Sequence, residues 1–321
     1  MKTIKLSKVP IGYSPDLPVK VQRMGNMVRI ICSTSDPNPS IVNIDKDHYE
    51  VKATGEVKEK VHKDKRIDNI ESLKRTFAAT RDLIYCNVTS PQKMKWITFT
   101  YRPLENGKPM TDPERLSRDW DVFFKRFKRY CKRKGIEEPT YITVAEPQGS
   151  GAWHLHTILI YQNKAPFIPN DDMESMWGQG FVKTKRVKNA KNIAAYFTAY
   201  LTDLPVDEFL ASDMSVTYCT DIVKKEVTDE RTGKTETKAM MKGGRLGFYP
   251  TGFNFVRHSK GLKTPEESII RNEEADEIRK GGKLIYRSDI EVWDDTRIVN
   301  RVSKELYRDV EETADEKGVL K

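Results

Sequence analysis

The chain has 321 residues, 37% hydrophobic and 32% charged, enough for one large or two modest domains with a real core. No apolar run approaches the length needed to cross a bilayer, and the opening MKTIKLSKVP lacks the apolar centre of a signal peptide, so a cytoplasmic protein with no membrane partner is expected. The net charge of +9 is uneven: from Pro265 onward there are 11 Lys and Arg against 16 Asp and Glu, and before it 45 against 31. A basic body with an acidic tail suits a polyanion partner, and equally a Lys-rich solvated surface.

Cys32, Cys86, Cys131 and Cys219 are scattered with no Cys-x-x-Cys spacing, which argues against both a zinc site and a disulfide framework.

The first 66 residues read as strands joined by turns. Gly25-Asn26 and Thr54-Gly55 each separate two extended runs, and Asp36-Pro-Asn-Pro forms a loop. From about Asp68 to Asn87 the spacing of Ile70, Leu73, Phe77, Leu83 and Ile84 predicts a helix with a basic face. WITFTY (96–101) alternates like a strand with one buried face. Thr111-Asp-Pro-Glu114 then reads as a capping box, opening an amphipathic helix that carries Leu116, Trp120, Phe123, Phe124, Phe127 and Cys131 and ends near Gly135.

TYITVAEP, the turn QGSG and AWHLHTILIY predict an antiparallel hairpin. A short helix around 171–177, a strand GFVKTKRV and a helix from about Asn189 to Leu204 complete an α+β unit, helices against an antiparallel sheet. Beyond it, KKEVTDERTGKTETKAMM reads as a hairpin around Thr232-Gly233, followed by a Gly-rich stretch and an acidic tail rich in helix formers. The expected organisation is thus a β-rich N-terminal extension over 1–88, a catalytic unit over 89–210, and a C-terminal extension over 211–321 with strands and then a helical tail.

The chemistry concentrates in the hairpin. Residues two apart on a strand point to one side of the sheet, so His154 and His156 project together while Trp153, Leu155 and Thr157 face the other way. Glu146 on the preceding strand is brought beside them by the short turn; Gln148 is the other candidate ligand. Two imidazoles and a carboxylate suit a divalent ion such as Mn²⁺ or Mg²⁺ acting as a Lewis acid. Tyr196 and Tyr200 are four apart, so a helix sets both hydroxyls on one face. Thr232-Gly-Lys-Thr235 resembles the end of a phosphate-binding loop, but Thr228 stands where its first glycine belongs, so no nucleotide cofactor is expected.

In order, WITFTY, E-x-Q-x-x-G-A-W-H-L-H, W-x-x-G-F-V and A-A-Y-x-x-x-Y resemble the motifs of rolling-circle replication initiators, the Rep proteins of the HUH endonuclease superfamily. The resemblance runs from about Lys95 to Leu204 and extends through RLGFYPTGFNFVRHSKGLKTP. It implies a ferredoxin-like or RRM-like catalytic domain, with His154 and His156 as metal ligands, Glu146 as the third, and Tyr196 and Tyr200 as the two-tyrosine nucleophile pair. It further implies metal-dependent nicking of single-stranded or extruded origin DNA, a 5′-phosphotyrosine link and a free 3′-hydroxyl. A host helicase and polymerase would be partners.

Family members often carry a lysine three residues after such a tyrosine; here those positions are Ala199 and Asp203, which leaves open which tyrosine cuts first and favours Tyr200. Lys183, Lys185, Lys188 and Lys191 are candidates to replace that lysine, and with Arg102, Gln148 and Arg245 they are the candidate DNA contacts. The resemblance also admits a transposase or a relaxase, and a basic surface admits a non-catalytic origin-binding repressor. The extension over 1–88 is a candidate for accessory DNA binding.

Overall fold

A computed structural model describes residues 2–35, 41–60, 70–104, 107–185, 194, 203–206, 222–228, 235–241, 245, 248–250 and 252–309. In chain order its elements are β1 (Lys2–Leu6), β2 (Pro18–Met24), β3 (Met27–Ser33), β4 (Ile41–Asn43), β5 (His48–Val51), β6 (Glu56–Glu59), α1 (Ile70–Asn87), β7 (Met94–Tyr101) and α2 (Pro113–Lys134). Then come β8 (Thr140–Pro147), β9 (Trp153–Ile160), α3 (Asn170–Trp177), β10 (Gly180–Lys185), β11 (Leu204–Pro205), β12 (Ile222–Thr228) and β13 (Thr235–Met241). The last are β14 (Val256–His258), β15 (Glu266–Arg271), α4 (Ala275–Gly281), β16 (Gly282–Asp294) and β17 (Arg297–Asp309). The expected α+β class, antiparallel sheets with flanking helices, is what these elements build.

Two compact units result, residues 1–62 with 263–321, and residues 63–262. This differs from the expected divisions after 88 and after 210. The reason is long-range pairing: β17 lies against β3, and β15 against β2, so both ends of the chain share one six-stranded sheet in the order β1-β16-β17-β3-β2-β15. One face of that sheet buries Val19, Val21, Val28, Ile30, Cys32 and Tyr307 with Ala275 of α4. Within the unit the buried Glu305 accepts from Arg279 Nε at 2.9 Å and from Arg287 Nη1 at 2.8 Å.

The tail expected to be helical is therefore a correction: as far as Asp309 it is two 13-residue strands around one short helix. Alternating exposure along β17, with Ser303, Glu305 and Tyr307 inward, follows a two-residue period that its many charged residues disguise.

In the second unit the sheet order is β10-β7-β9-β8-β14, all antiparallel. Odd positions of β7 and β9 face α2 and α3. Phe99 meets Trp120, Phe123 and Trp177, and Tyr141 of β8 meets Trp120 and Phe124, in tilted or edge-on aromatic contacts. Burying each such ring contributes about 1.5–3 kcal/mol, and this packing fixes which face of the sheet remains for the even positions.

The cap of α2 is Asp112, not Thr111: its carboxylate accepts from the backbone N–H of Glu114 and Arg115, with Pro113 at the first turn. The helix ends at Gly135, whose φ of 65° is the left-handed conformation glycine adopts most readily. Leu204 lies in β11, paired with β13, rather than in a helix. The loop at Asp36, the turn at Thr232-Gly233 and most of the helix expected over 189–204 lie outside the described residues. No helix among the described residues is long and apolar enough to cross a membrane.

Candidate metal centre

The hairpin of β8 and β9 is closed by a turn in which Gln148 N–H donates to Ala152 O and Gly151 N–H to Gln148 O, both at 2.8 Å. That turn sets Glu146 directly opposite His154, and Val144 opposite His156. On the other side β7 sets Thr100 opposite His154 and Thr98 opposite His156. Since α2 and α3 cover the odd positions of β7 and β9, the even positions gather Glu146, His154, His156, Thr98 and Thr100 on one face.

Ligand atoms of Glu146, His154 and His156 all lie within 4.8 Å of one another. His156 is 2% exposed, its Nε2 meeting Glu146 Oε2 and its Nδ1 3.3 Å from Thr98 Oγ1. His154 is half-buried, its Nδ1 2.9 Å from the Gln148 side-chain amide. With the amide oxygen turned to the ring, Nδ1–H donates and Nε2 keeps a lone pair for a ligand. An imidazole steered through its second nitrogen is how protein sites orient histidine ligands.

Glu146 is 3% exposed, and a bare carboxylate there would be costly. Its Oε1 lies 3.0 Å from Arg245 Nη2, and Arg245 is itself buried. The same guanidinium donates from Nε to Asp203 O at 2.7 Å and from Nη1 to Pro147 O at 2.6 Å. Burial pushes the Glu146 carboxyl up, but Arg245 and the two imidazoles outweigh it and hold it at about 2. Tyr249, buried beneath, donates to Ala145 O at 3.2 Å, and burial raises its phenol well above the ordinary value.

One ionised carboxylate and two imidazoles at this spacing fit a divalent ion by donor chemistry. Arg245 already balances Glu146, so a bound dication would leave the centre net positive. Such a centre attracts an anion from outside, a phosphodiester among them.

Lys183 and Lys185 share the face: on β10 they stand opposite Thr98 and Trp96, in the row that continues to His156 and Ile158. Lys183 is two strands from His156, about 10 Å between backbones. Arg102 is exposed just past β7. Arg245, expected to touch DNA, is corrected: it is buried, and it binds Glu146 and two backbone carbonyls. Tyr196, Tyr200, Lys188 and Lys191 lie outside the described residues, on either side of Ala194, which is packed in the core of the second unit. Two residues escaped the sequence reading. Thr98 was signalled by its even position in WITFTY, and the partner of Glu146 by a lone arginine in the Gly-rich stretch.

Residues 94–204, about a third of the chain, match a family model described as a replication-associated protein of the ORF2 kind. No curated protein and no solved structure matches. The family match supports a role in the initiation of replication, with DNA as the partner that role requires.

Proposed function

We propose that this chain initiates rolling-circle replication by nicking one strand of single-stranded or extruded origin DNA and later rejoining it, using a tyrosine of the two-tyrosine HUH type. The observation that carries the reading is the convergence of Glu146, His154 and His156 on one sheet face within the stretch matched by the family model. Those three residues would hold Mn²⁺ or Mg²⁺, and the ion when bound supplies stabilisation of charge on a nonbridging phosphate oxygen.

The protein's own residues carry the rest. Tyr200, or Tyr196, attacks the phosphorus; its oxygen–phosphorus bond forms as the bond to the 3′ oxygen breaks, leaving a 5′-phosphotyrosine and a 3′-hydroxyl. A phenol with an ordinary pKa of about 10 is nearly all protonated at neutral pH, so its proton must be handed on, and the departing oxygen must gain one. Lys183, on the same face as the histidines, is the candidate to stand beside the phosphate. Asp203 follows Tyr200 by three positions, so chain connectivity limits their separation to about 11 Å, and the Asp203 carbonyl is bound by the arginine that holds Glu146. A second tyrosine permits a further transfer while the first remains linked. The 3′-hydroxyl would then be extended by a host polymerase behind a host helicase.

The test is incubation of the pure protein with labelled single-stranded origin oligonucleotides and Mn²⁺, then denaturing electrophoresis and mapping of the adduct. A covalent adduct that survives Tyr196→Phe and is lost in Tyr200→Phe is expected. No adduct across a panel of cognate origins sinks the proposal.

A further inference from the structure

The outer face of α2 carries a second cluster of cations, away from the candidate metal centre. Between Lys125 and Lys134 there are seven basic residues and no acidic one. At 100° per residue Lys128, Lys132, Lys125, Arg129 and Arg133 fall on one arc of the helix, opposite the buried Leu116, Trp120, Phe123 and Phe127. All five are exposed.

Their pairing differs from that of the first half of the helix. There Arg115 meets Asp119, and Arg118 meets Asp112 and Glu114. In the second half Lys128 meets Glu138, while Lys125, Arg129, Lys132 and Arg133 have no acidic partner among the described residues. Asp121, on the same side, is bonded to Arg257.

This arrangement works against the helix. Lys125 and Arg129, Lys128 and Lys132, and Arg129 and Arg133 are like charges four apart, each pair costing about 0.2–0.5 kcal/mol. The helix dipole favours cations only in the last turn, so it accounts for Lys132 to Lys134 and not for Lys125, Lys128 or Arg129. A bound polyanion removes the repulsion. From Lys125 to Arg133 the axis rises about 12 Å, over which duplex DNA presents roughly seven phosphates at one per ~1.7 Å.

The arc offers no ring for bases to stack on. Trp120, Phe123, Phe127 and Tyr130 are buried, and Phe124 is half-buried against Tyr141. Single-strand sites combine cations with such stacking platforms. Aromatic contacts from α2 reach the odd positions of the sheet, so this arc lies on the side away from His154 and His156.

We propose that the outer face of α2 binds the sugar-phosphate backbone of duplex DNA, without base recognition, as a site separate from the metal centre. The inference draws on the replication reading only for the identity of the polyanion. The experiment measures binding of a non-origin duplex of roughly 20 base pairs, about two helical turns, and of one of its single strands, in chelator, across a salt series. For Lys125→Gln/Arg129→Gln/Lys132→Gln/Arg133→Gln, duplex affinity at about 0.15 M salt should fall at least roughly tenfold. The plot of log affinity against log salt should flatten by about 3 to 4. Arg118→Gln should flatten it by less than about 1, and the melting temperature of the fourfold variant should not fall, since repulsion is relieved. Unchanged duplex affinity in the fourfold variant overturns the assignment, and so does an equal loss on single-stranded DNA. Neither result depends on whether the protein nicks.

Discussion

Arg245 and Glu146 form an ion pair at 3.0 Å with both side chains less than a tenth exposed, and the arginine's other two nitrogens bind carbonyls on two further segments. Breaking one side of a buried pair leaves an uncompensated charge, at a cost of about 3–5 kcal/mol. Arg245→Met and Glu146→Gln should each destabilise the second unit by that order in metal-free urea unfolding. Their combination should cost less than the sum by about 2 kcal/mol. Strictly additive losses would show that the pair is not coupled.

A ligand that binds only the folded state raises its stability, by about 2.7 kcal/mol at a hundred times its dissociation constant. Mn²⁺ should therefore raise the melting temperature of the wild-type chain. Glu146→Gln, His154→Ala and His156→Ala should each remove most of that rise. A rise preserved in His156→Ala would place the ion elsewhere.

Gly180 begins β10 opposite Tyr101, and a Cβ built on it would lie 2.2 Å from Thr100 O and 2.8 Å from Arg102 N. Backbone atoms cannot step aside as a side chain does. Gly180→Ala should cost about 1–3 kcal/mol and move the strand that carries Lys183 away from β7. Slower hydrogen exchange, or none of the expected loss of protection, at the β7–β10 backbone amides of the variant would contradict this.

In the first unit Asp289 accepts from Arg287 at 2.8 and 3.0 Å, from Ser303 and from the Ile11 N–H. The Arg287 guanidinium, against some opposition from burial, holds its carboxyl at about 2. A carboxyl depressed from about 3.9 stabilises the fold above the unfolded value, and that stability is lost as pH falls through the folded one, here about 2 kcal/mol between about pH 5 and 2. Wild type should lose that much more stability than Asp289→Asn over this window. Parallel pH profiles for the two would refute the assignment.

The candidate site was legible where its determinants are local. Period-two alternation put His154 and His156 on one face, and a short turn brought Glu146 across from them; both are features of one short stretch of consecutive residues. What escaped depends on distant partners. Arg245 stands in a Gly-rich stretch with no periodicity, and only the folded chain brings it to a carboxylate far earlier in the sequence. The strands of the tail escaped for a related reason. β17 is stabilised by pairing with β3, and its charged residues, spread over both faces, hide an alternation that is plain once Ser303, Glu305 and Tyr307 are seen turned inward. Tyr196 and Tyr200 rest on the motif A-A-Y-x-x-x-Y and on the proximity of Asp203 in the chain.

The sheet shared by the two ends of the chain also bears on biosynthesis. A ribosome that has released β2 and β3 must add the roughly 200 residues of the second unit before β15, β16 and β17 emerge. At ~5–20 residues per second that is ~10–40 s. Throughout that interval the edge of β3 that will receive β17 has no strand to take, and by its end every strand of the sheet bearing Glu146, His154 and His156 has been made. The nascent protein would thus own a complete site-bearing sheet before its terminal sheet exists, with an open β-edge for chaperones to guard.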